Sequence, residues 1–180
     1  MGLKNQVETL LRDAAEFGPK IHAERGLTYS DLPYQVHLQM VVNFANYFRP
    51  LLRMSPEEFY EVLMACWLHD TVEDCGISYG KIEKKYGRNV AEYVWAVSGF
   101  GRNRKERNAC VEPKIKGNLI PTYVKMCDRL ANVTFSKFFD PGSRMYYGQY
   151  VVEWSEFKNK YYIPELDPMF AYMDKLIDLT

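Results

Sequence analysis

The sequence lacks any apolar run that approaches the ~20 residues needed to cross a membrane. It also lacks a net charge, with 23 basic and 23 acidic residues, so we expect neither general nucleic-acid binding nor attraction to a membrane surface. Residues 1–20 show no apolar core typical of a signal peptide. No C-x-x-C pair occurs among the four cysteines, which we expect to be reduced. These absences together predict a cytoplasmic protein.

A β-strand pattern is also missing, because no segment alternates apolar and polar residues. Apolar residues instead recur at helical spacing along most of the chain. Gly18-Pro19 is predicted to end the first helix, Ser55-Pro56 to begin another and Gly87 to end a later one. We further predict helices over 118–139 and 144–162, a loop over 26–31 and a flexible basic loop over 99–107. The fold class is therefore predicted to be all-α, with one domain over residues 1–180.

The densest group of ionisable residues is His69-Asp70, which Glu73 and Asp74 follow one helical turn later. Residues at i and i+4 of a helix share a face, so these four groups are expected to lie together. Burying them in an apolar helix is unfavourable unless a metal or a partner neutralises them. The alternative is a solvated helix end, but acidic residues in a last turn oppose the helix dipole.

A divalent metal site is predicted from residues in three segments. Its four candidate ligands are His37, His69, Asp70 and Asp128. His37 begins an amphipathic helix, and Asp128 lies among apolar residues of the predicted long helix. Two imidazoles and two carboxylates suit Mn, Fe, Co, Ni or Zn better than Ca, and they do not form a structural zinc cage.

Several stretches of this sequence resemble one known family. Residues 69–74 read HDTVED, the signature of the hydrolase domains of RelA/SpoT-type alarmone enzymes. The Tyr86-Gly87 step and residues 125–132 are similar to later segments of the same domains. The resemblance covers about residues 15–155 and extends to the small stand-alone alarmone hydrolases. It implies an HD-domain phosphohydrolase, a helical bundle built around a metal site.

The function that this resemblance implies is metal-dependent removal of pyrophosphate from the 3′ side of (p)ppGpp. The expected cofactor is Mn²⁺ and the expected partner is a small nucleotide substrate, while the oligomeric state is left open. The family places catalytic roles on the residues that match Glu73 and Asp74. For Glu73 the alternative is a supporting contact that fixes His37 or His69.

Substrate contacts are predicted beside the ligands. Asn132 lies four residues after Asp128 and matches a family Asn that contacts substrate. Lys125 lies three residues before Asp128 and could reach the same face, or it could be a solvated surface lysine. Tyr34 precedes His37 by three residues and is expected to line the site or to pack beside it.

The basic loop and the third histidine carry weaker signals. Arg104 is expected to bind phosphate, because a guanidinium group can donate two parallel hydrogen bonds to it. The alternative is a loop that is only solvated. His22 is expected to pack or to cap a helix and not to ligate a metal.

Two departures from the family fall on substrate-recognition positions. Gly26 and Leu27 stand where the family has an Arg-Lys pair that holds the purine, with Arg25 one position away. Tyr147 stands where the family has an Arg near the ribose phosphate, with Arg144 one turn earlier. We predict substrate contacts for Arg25, Arg144 and Tyr147. The departures leave two alternatives open: another nucleotide substrate (a dNTP, a dNMP, an adenine alarmone or NADPH) or a non-catalytic nucleotide-binding HD module.

Overall fold

The computed structural model describes residues 3–140 and 146–178. Within these ranges the chain forms a small sheet and the helices α1 (Leu3–Glu24), α2 (Gln35–Tyr47), α3 (Pro56–Leu68), α4 (Tyr79–Tyr86), α5 (Arg88–Val97), α6 (Arg104–Ile115), α7 (Leu119–Phe138), α8 (Val152–Tyr161) and α9 (Asp167–Asp178). Short 3₁₀ helices lie at Arg49–Leu51 and Pro164–Leu166, and a π-helical segment, Tyr146–Val151, precedes α8. The predicted all-α class is confirmed.

Several helix boundaries follow from local chemistry. At the start of α3, the Ser55 hydroxyl accepts from the backbone N–H of Glu58, and the Glu58 carboxylate accepts from the backbone N–H of Ser55. Pro56 occupies the first helical position, where its missing N–H costs nothing. Gly87 ends α4 with φ of +94°, a conformation that glycine adopts without strain. The predicted boundaries at Ser55-Pro56 and Gly87 are therefore confirmed.

The first helix does not end at Gly18-Pro19 as predicted but continues to Glu24. A proline inside a helix removes one backbone hydrogen bond. Packing of α1 on α3 offsets that loss, and the two helices approach very closely at Gly18. A Cβ at this position would lie 2.3 Å from the carbonyl oxygen of Trp67. The glycine is therefore a requirement of the helix crossing and not a helix stop.

Three other predicted segments are corrected by the structure. The basic loop is shorter than predicted, because the Asn103 side chain accepts from the N–H of Glu106 and begins α6 at Arg104. The helix that carries the HDTVED segment ends at Leu68, and residues 69–75 form hydrogen-bonded turns. The predicted loop over 26–31 includes a short antiparallel pair, in which Thr28–Tyr29 lies against Leu32–Pro33.

The core lies around α3 and α7, whose side chains are buried along most of their length. Helices α1, α2 and α5 pack on α3, while α2, α5 and α9 pack on α7. Of the residues predicted as ligands, His69 and Asp70 directly follow α3, Asp128 lies on α7, and His37 lies on α2, which packs on both. Among the helices of the described ranges, none combines the length and hydrophobicity that crossing a bilayer requires.

Candidate metal centre and adjoining cavity

Four side chains from three parts of the fold converge on one buried point. His37 lies on α2, His69 and Asp70 directly follow α3, and Asp128 lies in the middle of α7. The Nε2 atoms of His37 and His69 are 3.2 Å apart. The Oδ2 atom of Asp70 lies 2.9 Å from Nε2 of His69 and 3.5 Å from Nε2 of His37. The Oδ1 atom of Asp128 lies 3.4 and 3.7 Å from the Nε2 atoms of His37 and His69.

These spacings fit ligands of a single metal ion. Two atoms bound at about 2.1 Å to one ion lie about 3.0 Å apart in an octahedron and about 3.4 Å apart in a tetrahedron. The ligand atoms of His37, His69 and Asp70 all lie within 4.8 Å of one another. The Nδ1 atom of His69 is 2.9 Å from the carbonyl oxygen of Cys66. Because a carbonyl only accepts, Nδ1 carries a proton, and Nε2 is the nitrogen that faces the centre and can bind a metal once it is deprotonated.

The charges around this point favour a cation. Burial would raise the pKa of Asp70, but the charge of His69 and the hydrogen bonds from both histidines hold it well below its usual value. Burial opposes ionisation of Asp128 too, yet the charge of Lys125 and the same histidines hold its pKa well below the usual range. Both carboxylates therefore stay ionised at neutral pH, and the residues present fit a divalent metal.

Tyr34 holds the Asp70 carboxylate from the side of α2. Its hydroxyl donates to Oδ2 of Asp70 at 2.7 Å and lies 3.2 Å from Oδ2 of Asp74. Its ring stacks on His22, with centroids 4.2 Å apart and planes 7° apart. Buried His22 in turn donates from Nδ1 to the carbonyl of Gly18 at 2.8 Å. The packing role predicted for His22 is confirmed, and the Tyr34 hydroxyl is engaged with carboxylates.

Tyr29 supports the Asp128 carboxylate through Asn132, a role that is not predicted from the sequence. Its hydroxyl donates to Oδ1 of Asn132 at 2.9 Å, and Nδ2 of Asn132 donates to Oδ1 of Asp128 at 2.6 Å. The Tyr29 ring also lies 4.8 Å from the ring of His37. The amide of Asn132 thus lies at the metal centre, where it positions Asp128. No local pattern marks Tyr29, because its partner Asn132 is 103 residues away along the chain.

Glu73 and Asp74 occupy different surroundings next to the centre. Oε2 of Glu73 accepts from the backbone N–H of Gly99 at 2.7 Å, and Oε1 lies 3.2 Å from Nε of Arg107. Within the described ranges, the Glu73 hydrogen bonds thus go to these groups and not to the histidines. Asp74 lies beside Tyr34, and lost solvation together with the charges of Asp70 and Glu73 raises its pKa to about 6.

A cavity of about 560 Å³ opens beside Asp128, between α6, α7 and α8. Its polar wall includes Arg104, Lys105, Lys125, Asn132, Tyr150 and Glu153. The volume lies in the range of about 300–1,000 Å³ that small-molecule sites occupy. A ligand in this cavity would lie directly against one carboxylate of the metal centre.

Two predicted cations line this cavity, and both are already paired. Nζ of Lys125 lies 2.8 Å from Oδ2 of Asp128, so Lys125 is not a freely solvated surface residue. Arg104 donates from Nε and Nη2 to the two carboxylate oxygens of Glu153 at 2.7 and 2.8 Å. Arg129, nearly buried, donates to the same carboxylate at 3.1 Å. The Arg104–Glu153–Arg129 cluster has no counterpart in the sequence analysis, since its members are distant along the chain.

Among the other predicted substrate contacts, Arg25 is not one of the described residues that line the cavity. Arg25 is exposed beside Gly76, where a Cβ would lie 3.9 Å from Nη2 of Arg25. It is thus near Asp74 and away from the described residues that line the cavity. Arg144 lies outside the described residues, as does the side chain of Tyr147. Gly26 and Leu27 lie directly after α1, next to Arg25.

Comparisons with known proteins agree with this arrangement. A solved structure described by the statement that a metazoan ortholog of SpoT hydrolyzes ppGpp superimposes with a TM-score of 0.67 at 19% identity, over 94% of each chain. The sequence is also 43% identical over 54 residues to the bifunctional (p)ppGpp synthase/hydrolase SpoT of Escherichia coli K12. The same values hold for the guanosine-3′,5′-bis(diphosphate) 3′-pyrophosphohydrolase of Shigella flexneri.

The matched stretch is short relative to these bacterial proteins. It covers 28% of this chain and 8% of each bacterial relative. No family model matches the sequence. The resemblance to RelA/SpoT-type hydrolase domains is therefore confirmed in the fold, over 94% of the chain, and in one segment of the sequence.

Proposed function

We propose that this protein is a metal-dependent phosphohydrolase that removes pyrophosphate from the 3′ side of a (p)ppGpp-type nucleotide. The observation that carries the proposal is the convergence of two imidazole nitrogens and two carboxylates on one buried point beside a cavity of about 560 Å³. The similarity to proteins named for ppGpp hydrolysis supports the choice of substrate.

Within this proposal, a divalent metal is held by His37, His69, Asp70 and Asp128, and Mn²⁺ is the ion we propose. When bound, such an ion polarises a phosphate oxygen and lowers the pKa of water. The rest of the chemistry falls to the chain itself. Two imidazoles and two carboxylates need not enclose an ion completely, so a substrate oxygen can approach from the cavity.

We assign the handling of water and protons to Glu73 and Asp74. Both lie beside the ligands and neither is a ligand in the proposed set. Glu73 is held in one orientation by a backbone amide and a guanidinium group, which suits it to orient water. Asp74, with its pKa raised to about 6, can exchange a proton near neutral pH.

Substrate binding is assigned to residues around the cavity and the metal centre. Asn132, Lys125 and Arg104 line the cavity, and a nucleotide phosphate would compete with the carboxylates that these side chains now contact. Tyr34 and Arg25 lie on the Asp74 side of the centre and are assigned contacts there. We also propose substrate contacts for Arg144 and Tyr147.

We also propose that residues 1–180 form a single HD-type domain. Two contacts support this: α1 packs on α3, which precedes His69, and α9 packs on α7, which carries Asp128. A different nucleotide substrate is the second candidate, because Gly26 and Leu27 replace the charged pair that would hold a guanine.

The test measures phosphate and pyrophosphate release from a panel of nucleotides with Mn²⁺, together with the metal content of each variant. Asp70→Asn should lose both the metal and turnover. Glu73→Gln should keep the metal and lose turnover by about 100- to 10,000-fold, as expected when a positioned base is removed. Asp31→Asn makes the same chemical change as Asp70→Asn at an exposed site and should behave as the unmodified protein.

Each outcome supports or contradicts a different part of the proposal. Pyrophosphate released from guanosine tetraphosphate supports the whole of it. Activity confined to other nucleotides keeps the chemistry and changes the substrate. Near-normal turnover of Glu73→Gln contradicts the role given to Glu73. Nucleotide binding without any product after long incubation would favour a non-catalytic module.

A further inference from the structure

The connection between α5 and α6 approaches the Glu73 carboxylate on two sides. We call residues 98–101 the 98–101 turn. Its Gly99 N–H donates to Oε2 of Glu73 at 2.7 Å, and Nε of Arg107, on the first turns of α6, lies 3.2 Å from Oε1. One oxygen of the Glu73 carboxylate thus contacts the 98–101 turn, and the other contacts α6. The direction of the carboxylate therefore depends on where the 98–101 turn lies relative to α6.

Little space separates the 98–101 turn from α6. A Cβ at Gly99 would lie 2.9 Å from Cβ and 3.0 Å from the carbonyl oxygen of Arg107. A Cβ at Gly101 would lie 2.4 Å from Cβ of Glu106. These glycines allow a direct approach of the two backbones, so a small shift of the turn would displace the Gly99 N–H.

Lys114, on the last turns of α6, ties this arrangement together. Its Nζ donates to the carbonyl of Ser98 at 2.5 Å and to the carbonyl of Trp95 at 2.9 Å. The ammonium also lies 5.1 Å from the Trp95 ring and 5.5 Å from the Phe100 ring. One cation from α6 therefore satisfies carbonyls at the end of α5 and fixes the residue that directly precedes Gly99.

We propose that Lys114 is a positioning residue for Glu73, because it fixes the 98–101 turn so that the Gly99 N–H and the Arg107 guanidinium meet the carboxylate. Its effect on turnover rests on the function proposed for Glu73, whereas its effect on the position of Gly99 does not. Lys114 is not among the described residues that line the cavity, and we assign it no contact with the substrate or the metal.

The position of Gly99 can be observed without any assay of activity. Labelling the 11 glycines with ¹⁵N gives an amide spectrum with few peaks. A short hydrogen bond from a glycine N–H to a carboxylate moves the resonance of that amide proton downfield. The resonance that moves upfield in Glu73→Gln identifies Gly99. Lys114→Met removes the donated hydrogen bonds and keeps the aliphatic chain, so we expect the same resonance to move upfield.

Matched variants separate positioning from general damage. Lys114→Arg can still donate to both carbonyls and should restore the Gly99 resonance. Lys116→Met makes the same change as Lys114→Met at an exposed position two residues away and should leave the spectrum unchanged. With an active nucleotide and Mn²⁺, Lys114→Met should lower kcat about 10- to 100-fold at unchanged KM and unchanged metal affinity.

The amide spectrum and the activity measurement test separate parts of the proposal. An unchanged Gly99 resonance in Lys114→Met would overturn the positioning role, whatever the activity. A shifted resonance with normal kcat would overturn the link to turnover. If the unmodified protein releases no product from any nucleotide, the proposed function fails while the spectrum still decides the position of Gly99. A loss of metal or a rise of KM in Lys114→Met, with kcat unchanged, would contradict the proposal.

Discussion

Tyr34 contributes one hydroxyl group to two carboxylates that differ in their surroundings. Its hydrogen bond to Asp70 is short, at 2.7 Å, and the bond to Asp74 is longer, at 3.2 Å. Because its ring is fixed by stacking on His22, the hydroxyl has little freedom to turn away. The tyrosine therefore orients Asp70 towards the histidines, in the way that outer contacts commonly orient metal ligands.

Removing only this hydroxyl should weaken metal binding. We expect Tyr34→Phe to lower the affinity for Mn²⁺ about 10- to 100-fold, the usual cost of losing a group that orients a ligand. The ring stacking remains, so the fold should be retained. Competition with a chelating indicator measures the affinity. Tyr162→Phe is a matched control, because its hydroxyl bonds Asp167 at an exposed site far from the ligands in sequence. Equal affinities for Tyr34→Phe and the unmodified protein would contradict the orienting role.

The sequence was informative for residues whose chemistry is local and poor for those that act at a distance. His69-Asp70, followed one turn later by Glu73 and Asp74, pointed to a metal site, and the structure brings His37 and Asp128 to the same point. Tyr29 and Glu153 could not be found in this way. Tyr29 contacts Asn132 of α7, and Glu153 of α8 contacts Arg104 of α6. Only folding brings these pairs together.

Among the elements, α1 shows how packing overrides a local signal. Gly18-Pro19 resembles a helix end, and an interior proline costs about 3 kcal/mol of helix stability. The helix continues because its apolar face packs on α3, so the tertiary gain exceeds the local loss. The sequence pattern shows the unfavourable proline but not the packing of α1 on α3 that compensates for it. The helix end was therefore predicted at the wrong residue.

The α1–α3 crossing provides a test at this scale. Gly18→Ala places a Cβ against the backbone of Trp67, and we expect it to lower the free energy of unfolding by about 1–3 kcal/mol. Gly80→Ala in α4 adds the same methyl group where no atom lies within 4 Å, and should raise the free energy by about 0.5–1 kcal/mol. Urea unfolding measures both. A neutral Gly18→Ala would show that the helices can separate without cost.

At the scale of the whole molecule, the proposed metal centre joins elements that are distant along the chain. The proposed ligands come from α2, from the turn after α3 and from α7. An ion bound there should stabilise the packing of these elements against one another. Metal binding and folding are therefore expected to be coupled in this protein.

This coupling should depend on pH with a definite sign. Burial would lower the pKa of His37 and of His69, but hydrogen bonds to Asp128 and Asp70, and for His69 the Asp70 charge as well, raise both. Without metal, their contribution to stability is full below the unfolded pKa of about 6.5 and is lost as the pH rises through the raised values. Metal binding requires neutral imidazoles, so affinity increases with pH.

We therefore expect the Tm difference between protein with Mn²⁺ and protein with EDTA to widen between about pH 6 and pH 8.5. At a metal concentration 100-fold above Kd, the stabilisation should be about 2.7 kcal/mol. Asp70→Asn serves as the control and should show little difference at any pH. If the Tm difference of the unmodified protein stays constant or decreases as the pH rises, this coupling is contradicted.

The paired charges of the cavity wall affect how quickly a nucleotide can arrive. Arg104 and Arg129 share the single carboxylate of Glu153, Lys125 pairs with Asp128 and Lys160 with Glu112, so much of the wall's positive charge is cancelled before any ligand enters. A cavity of this kind exerts little long-range attraction on a polyanion. For the proposed nucleotide we therefore expect an association rate that depends little on ionic strength, with discrimination arising at close range, where the phosphates replace the carboxylates.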